Sequence, residues 1–273
     1  VLPAAVVPGM TGPVRLEISA AGHAGHVFAS REMAGGSAPA VVLIHGIGAS
    51  HRYLRRLHRL LAGSMETYSI DLPGFGATPK PAYQLSIDDH ARYILGALEQ
   101  LGVAEIVLVG HSMGTQMALE AALQQPEQIS NVVLMGPVVD PRHGTVAQMA
   151  LALARDCLFY ESPSSNAVVF TDYLRCGPSW YLKTLQVMMD YPMEQKIAGV
   201  SAPVLVVRGA NDPIADADWS RRLAGLARRG RLLEVQGTGH VVQHNRALEV
   251  RDGILAFAGL GAAAGDPLPG SPA

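Results

Sequence analysis

Hydrophobic positions along the chain fall into short uninterrupted runs, separated by stretches in which they recur at helical spacing. Val41-Val42-Leu43-Ile44, Ile106-Val107-Leu108-Val109, Val132-Val133-Leu134-Met135 and Val204-Leu205-Val206-Val207 are the clearest runs, rich in β-branched residues. Runs of this kind read as strands buried on both faces of a parallel sheet. Thr67-Tyr68-Ser69-Ile70-Asp71-Leu72 and Leu232-Leu233-Glu234-Val235 are mixed runs that read as two further strands. Nearer the start, Val14, Leu16 and Ile18 alternate with polar or small residues, and His26-Val27-Phe28-Ala29-Ser30 is the return strand. That alternation predicts an edge hairpin with Gly22 and Gly25 as its turn residues.

Between the runs the period changes. Residues 50–62 carry Tyr53, Leu54, Leu57, Leu60 and Leu61 on one side of a helix, with Arg52, Arg55, Arg56 and Arg59 as its solvated face. Ser86-x-x-Asp89 opens a helix whose apolar side is Ile87, Ala91, Ile94, Leu98 and Leu101, and Gly102 ends it. Gln116-Met117-Ala118-Leu119-Glu120-Ala121-Ala122-Leu123 is strongly helix-forming. Further helices are predicted over 216–227 and from His240 to near Phe257. Over residues 138–199 the alternation breaks, leaving helical patches at 146–155 and 180–189 and no buried strand. The pattern predicts an α/β core from 1–137 and 200–260, with 138–199 inserted as a helical cap over the sheet's carboxyl edge. Gly35-Gly36-Ser37 reads as a loop, and residues 261–273 as a disordered tail.

Composition narrows the classes. A chain of 273 residues, 49% hydrophobic and 16% charged, is long enough for one large α/β domain with a sizeable core. No apolar run approaches the roughly 18 residues of a membrane span. The net charge of −2 and the scattered arginines give nucleic acid no footprint, so neither nucleic acid nor membrane is an expected partner. Cys157 and Cys176 lack metal-ligand spacing and are expected as free thiols. The first residues hold two prolines and no basic region, which makes a cytoplasmic location the expectation.

The chemistry concentrates behind the run Ile106 to Val109. Gly110-His111-Ser112-Met113-Gly114 joins that strand to the helix-forming segment, so Ser112 sits on a tight strand-to-helix turn. Its neighbours two positions away must be small, because the strand and helix backbones nearly touch there. The same turn puts the Met113 N–H at a helix N-terminus, aimed at developing negative charge. Other predicted strands end in polar or Gly-rich loops: His45-Gly46, Gly136-Pro137, Asp212 and His240. Right-handed crossovers bring such ends to one sheet edge, where open α/β folds bind ligands. A serine hydroxyl needs a base, neutral His suits that task near neutral pH, and a carboxylate on the other ring nitrogen fixes the tautomer. Ser112, His240 and Asp212 fit these parts, with the Ile47 N–H as a second oxyanion donor. Asp140 is the rival acid and His244 the rival base.

With these motifs on one chain, nearly its whole length resembles the α/β-hydrolase superfamily. His45-Gly46-Ile47-Gly48 is similar to the family's oxyanion loop, and Asp71-Leu72-Pro73-Gly74-Phe75-Gly76-Ala77-Thr78 to its D-x-P-G-x-G-x-S segment, with Thr78 in the usual Ser place. Gly209-x-x-Asp212 resembles the acid loop and Gly239-His240 the histidine loop. The resemblance implies a mostly parallel central sheet with helices on both faces and a small helical cap. It implies a serine hydrolase with Ser112, Asp212 and His240 as catalytic residues, and Ile47 and Met113 N–H groups as the oxyanion hole. No cofactor and no metal are implied. The expected substrate is a small carboxylic ester with an apolar acyl or alcohol part. C–C bond hydrolysis of the meta-cleavage type, thioester hydrolysis and non-catalytic ligand binding stand as alternatives. Trp180, Met189 and Val241 are the expected substrate-binding residues.

Overall fold

Eight strands form one sheet in the computed structural model, which describes residues 12–30, 39–143 and 146–260. They are β1 (Val14–Ala20), β2 (His23–Ser30), β3 (Ala40–Ile44), β4 (Thr67–Asp71), β5 (Ile106–His111), β6 (Ile129–Met135), β7 (Val204–Gly209) and β8 (Gly230–Val235). Their order is β1-β2-β4-β3-β5-β6-β7-β8. β1 and β2 pair antiparallel, as do β2 and β4, and every pairing from β4 through β3 to β8 is parallel. The reversal at β3 puts the β3 and β5 carboxyl ends side by side at a switch point, where open sheets bind ligands.

Helices cover both faces: α1 (His51–Ala62), α2 (Ile87–Leu101), α3 (Gly114–Gln124), α8 (Ala217–Leu226), α9 (Val242–Asn245) and α10 (Ala247–Phe257). Strand side chains alternate between two cores, as their period of two requires. Val42, Ile44, Leu108, Leu134 and Val206 pack with Ala91, Met117 and Trp219. Val41, Leu43, Val107, Val133 and Leu205 pack with Leu54, Leu57, Val250 and Ile254 on the other face.

The helix ends follow local chemistry. Ser50 caps α1. Ser86 and Asp89 form a capping box on α2, and left-handed Gly102 closes that helix. The edge hairpin turns at Ala21 (φ 48°) and Gly22 (φ 79°). Gly25 is not a turn residue: it lies within β2 opposite Ile18, where a side chain would collide with the Tyr93 hydroxyl. The predicted final helix is two, because backbone at Arg246 leaves the helical region (φ −126°) between α9 and α10.

Between β6 and β7 lie a 3-10 turn (Pro141–His143), α4 (Val146–Phe159), α5 (Pro163–Cys176), α6 (Pro178–Met189), α7 (Met193–Lys196) and a second 3-10 turn (Ile197–Gly199). α5 was not among the predicted helices. Its Pro163-Ser164-Ser165 opening has the composition of a loop, yet Ser162 caps the helix and Pro163 occupies its first turn. The insertion is tied to the core by polar contacts. Asp172 accepts from Ser50 Oγ and from Arg52, each at 2.6 Å, and the Gln116 amide donates to the Met188 carbonyl at 2.9 Å. Arg55, Arg56 and Arg59 are exposed. Cys157 and Cys176 are free thiols. No helix among the described residues is long and apolar enough to cross a membrane. Gly35-Gly36-Ser37 and residues 261–273 lie outside the described residues.

Candidate active site

Ser112 follows β5 with φ 56°, in the left-handed region that a side chain rarely adopts. Two glycines make that turn possible. A Cβ at Gly110 would overlap the Gly114 carbonyl, and one at Gly114 would lie 2.6 Å from Ile44 O and 2.7 Å from His45 O. Ser112 is thereby held at the junction of β5, α3 and the loop after β3. Neither the Ile47 N–H nor the Met113 N–H donates to a protein acceptor among the described residues.

His240 and Asp212 arrive from the other side of the same edge. Asp212 Oδ2 accepts from His240 Nδ1 at 2.8 Å, and Asp212 Oδ1 accepts from the N–H groups of Ile214 (2.8 Å) and Ala215 (3.0 Å). In the neutral imidazole this bonding leaves the lone pair on Nε2. Gly136 (φ 56°) gives the ring its room: a Cβ there would lie 2.9 Å from His240 Cε1. Ser112 and His240 line one cavity, although no hydrogen bond joins Ser112 Oγ to the imidazole among the described residues. Such bonds are often long before substrate arrives.

Burial alone would raise the Asp212 carboxyl. His240 and the Ala215 and Ile214 amides outweigh it and hold the group below the usual carboxylate range. Burial would likewise lower His240, but Asp212, Asp156 and Glu161 outweigh it and push the imidazole up to about 9.

The other histidines have structural duties. His111 Nε2–H donates to the His240 carbonyl at 2.9 Å, and its Nδ1 accepts from the Tyr53 hydroxyl at 2.7 Å. The Tyr53 oxygen in turn accepts the Gly46 N–H at 2.6 Å, so one chain of hydrogen bonds joins three loops of the site. Burial, with His240 nearby, pushes His111 down to about 3, so it stays neutral. His45 donates from Nδ1 to the Gly46 carbonyl and accepts the Leu72 N–H on Nε2, and burial lowers it too. Thr78 braces its own loop by donating to the Leu72 and Phe75 carbonyls, both at 2.6 Å. His244 faces Ser164 at 2.9 Å, away from the Asp212 carboxylate.

The cavity measures about 60 Å³ and is mainly apolar, with Val138, Leu153, Val169, Met188, Ile214 and Val241 in its wall. Of the three residues expected to bind substrate, Val241 lies there, whereas Trp180 and Met189 do not. Trp180 is turned onto the Gly74 turn, where a Cβ would lie 2.5 Å from its ring. The inward face of α6 instead brings Tyr181 and Met188 to the cavity. Sequence reasoning also passed over Asp156, Cys157 and Tyr173, which line the same space from α4 and α5.

Comparison with known proteins covers both halves of the chain. Residues 39–162 match the family model described as alpha/beta hydrolase fold, and residues 166–252 match that described as TAP-like protein. An uncharacterized hydrolase, YugF, of Bacillus subtilis is 41% identical over 96 residues, 35% of each chain. The dihydrolipoyllysine-residue acetyltransferase component of an acetoin cleaving system from Pseudomonas putida is 26% identical over 245 residues, 83% of this chain and 65% of that protein. The matches thus span less than two thirds of the length of both relatives. Among solved structures, the enol-lactonase from Burkholderia xenovorans LB400 superposes with a TM-score of 0.77, covering 89% of this chain and 99% of that one. At 20% sequence identity, that likeness is one of fold.

Proposed function

The chain belongs to the α/β-hydrolase superfamily, and on that premise we propose that it is a serine hydrolase acting on carboxylic esters through an acyl-enzyme. One observation carries the reading. Ser112 stands on a strained turn and shares a cavity with His240, whose Nδ1 lies 2.8 Å from the buried Asp212 carboxylate.

Asp212 holds the Nδ1–H tautomer, so Nε2 accepts the Ser112 proton as Oγ attacks the ester carbonyl. The Ile47 and Met113 N–H groups take up the charge that develops on the carbonyl oxygen. Collapse of the tetrahedral adduct expels the alcohol, which leaves with the proton held on His240. Water then attacks the acyl-enzyme with the same imidazole as base, releasing the acid and restoring Ser112. The apolar wall suits an apolar acyl or alcohol part, with orientation left to a few polar groups.

The test is covalent labelling together with turnover. An organophosphonate should modify Ser112 alone, and Ser112→Ala should lower kcat for a short p-nitrophenyl ester by roughly 10⁴–10⁶-fold. Label on another serine, or a variant that keeps a tenth of the activity, would overturn the assignment.

A further inference from the structure

Helix α4 enters the site with a carboxylate for which the proposed chemistry has no use. Asp156 is fully buried, while its neighbour Arg155 and Leu158, two residues on and on the opposite side of the helix, face outward. Asp156 Oδ1 accepts the backbone N–H of His240 at 2.9 Å. Its Oδ2 is buried with no hydrogen-bond partner among the described residues, and the residue lines the cavity beside Ser112 and His240. Gly239 is part of the same fit, because a Cβ there would collide with Asp156 Oδ1. One residue further, the Val241 N–H donates to Glu161 Oε1 at 2.8 Å, and the Asn245 amide donates to Glu161 Oε2 at 2.7 Å. Two carboxylates of the insertion therefore hold two successive amides of the histidine loop.

We propose that Asp156 is a positioning residue for His240, through which the inserted helices both place the imidazole and bias it toward its charged form. The proposal rests on the reading of His240 as the general base. Asp212 bonds the imidazole from the loop after β7, while Asp156 on α4 and Glu161 in the turn behind α4 hold the adjacent backbone amides and add negative charge near the ring. Neutral His111 packs against it from the end of β5, with ring centroids 4.9 Å apart. A negative charge in so dry a site favours imidazolium, and a carboxylate bonded to the histidine's own amide is fixed in place to supply it. Burial pushes the Asp156 carboxyl up to about 7, against the pull of His240 and with the push of Glu161.

Two substitutions separate placement from charge. Asp156→Asn keeps an acceptor oxygen for the His240 N–H and removes the charge; Asp156→Ala removes both. The acid limb of kcat/KM should move to lower pH by about one unit in each variant. The alanine variant should in addition have an alkaline plateau roughly 10-fold below that of the asparagine variant, because the histidine loop has lost its tether. A merely structural role would lower thermal stability and rate while leaving the limb in place, and that result overturns the proposal. NMR titration of the His240 ring in Ser112→Ala protein, with and without Asp156→Asn, gives the same answer without turnover. Identical titrations would sink the role of Asp156 alone, whereas activity persisting in Ser112→Ala would sink the serine hydrolase reading instead.

Discussion

Asp140 and Asp212 leave successive strands at the same sheet edge, yet they meet different cations. Asp140 is clamped by the Arg142 guanidinium, with Nη2 at 2.6 Å and Nε 3.0 Å from both oxygens, and it also accepts the Arg142 N–H at 2.9 Å. Asp212 meets the imidazole of His240. Asp212→Asn should therefore lower kcat by up to about 10⁴-fold with the fold intact, since an amide supports the wrong tautomer. Asp140→Asn should cost far less, and steady-state kinetics with the order reversed would contradict the assignment. At this scale the strand-end positions of the candidate residues Ser112, Asp212 and His240 were legible, because each stands beside glycines or prolines that mark a sharp turn. Asp156 was not legible. A single Asp in an apolar helical stretch looks the same whether it faces solvent or a distant amide, and only the docking of α4 decides which.

Helical phase decides which side chains of the insertion reach the cavity. On α6, Tyr181 and Met188 share the inward face, while Met189 is one position further round. Met188→Ala should shift the preference among acyl chain lengths by about 1–3 kcal/mol, and Met189→Ala should shift it less. Equal effects of the two in a p-nitrophenyl ester panel would argue against this face. The strands were legible because burial on both faces demands uninterrupted apolar runs. Within the insertion no long run or alternation exists, so α5 went unseen and the sequence could not say which face of α6 meets the cavity. The strand-to-helix turn at Ser112 makes the contrast sharp. Gly110→Ala would force a side chain into the α3 backbone and should cost about 1–3 kcal/mol or more, read as a lower denaturation midpoint.

Between about pH 6.5 and 9, stability and activity should respond to pH in opposite directions. The Asp212 carboxyl is held below its ordinary value, so its contribution is present above about pH 4 and is lost as pH falls. His240 is held above its ordinary value, so its contribution is complete below about pH 6.5 and is lost as pH rises toward 9. Between those last two values stability should fall by on the order of 1–3 kcal/mol while kcat/KM climbs, because the neutral imidazole is the working base. Thermal unfolding of wild type and His240→Gln across that interval checks the point: the variant should lose the alkaline decline. Parallel curves would show that the Asp212–His240 pair does not govern it.

A space of about 60 Å³ is small beside the roughly 150 Å³ that admits a benzene molecule. If an ester larger than that space is the substrate, α4 and α6 must yield to admit it, and entry is then an event in time as well as a fit in shape. Displacing α4 withdraws the carboxylates that tether His240 and Val241, leaving the histidine loop slack until the helices return. The protein then resembles a latch more than a cup: admission and readiness alternate. For bulky esters the latch should set the pace, and turnover should slow as solvent viscosity rises. A rate indifferent to added sucrose would place the slow step in the chemistry instead.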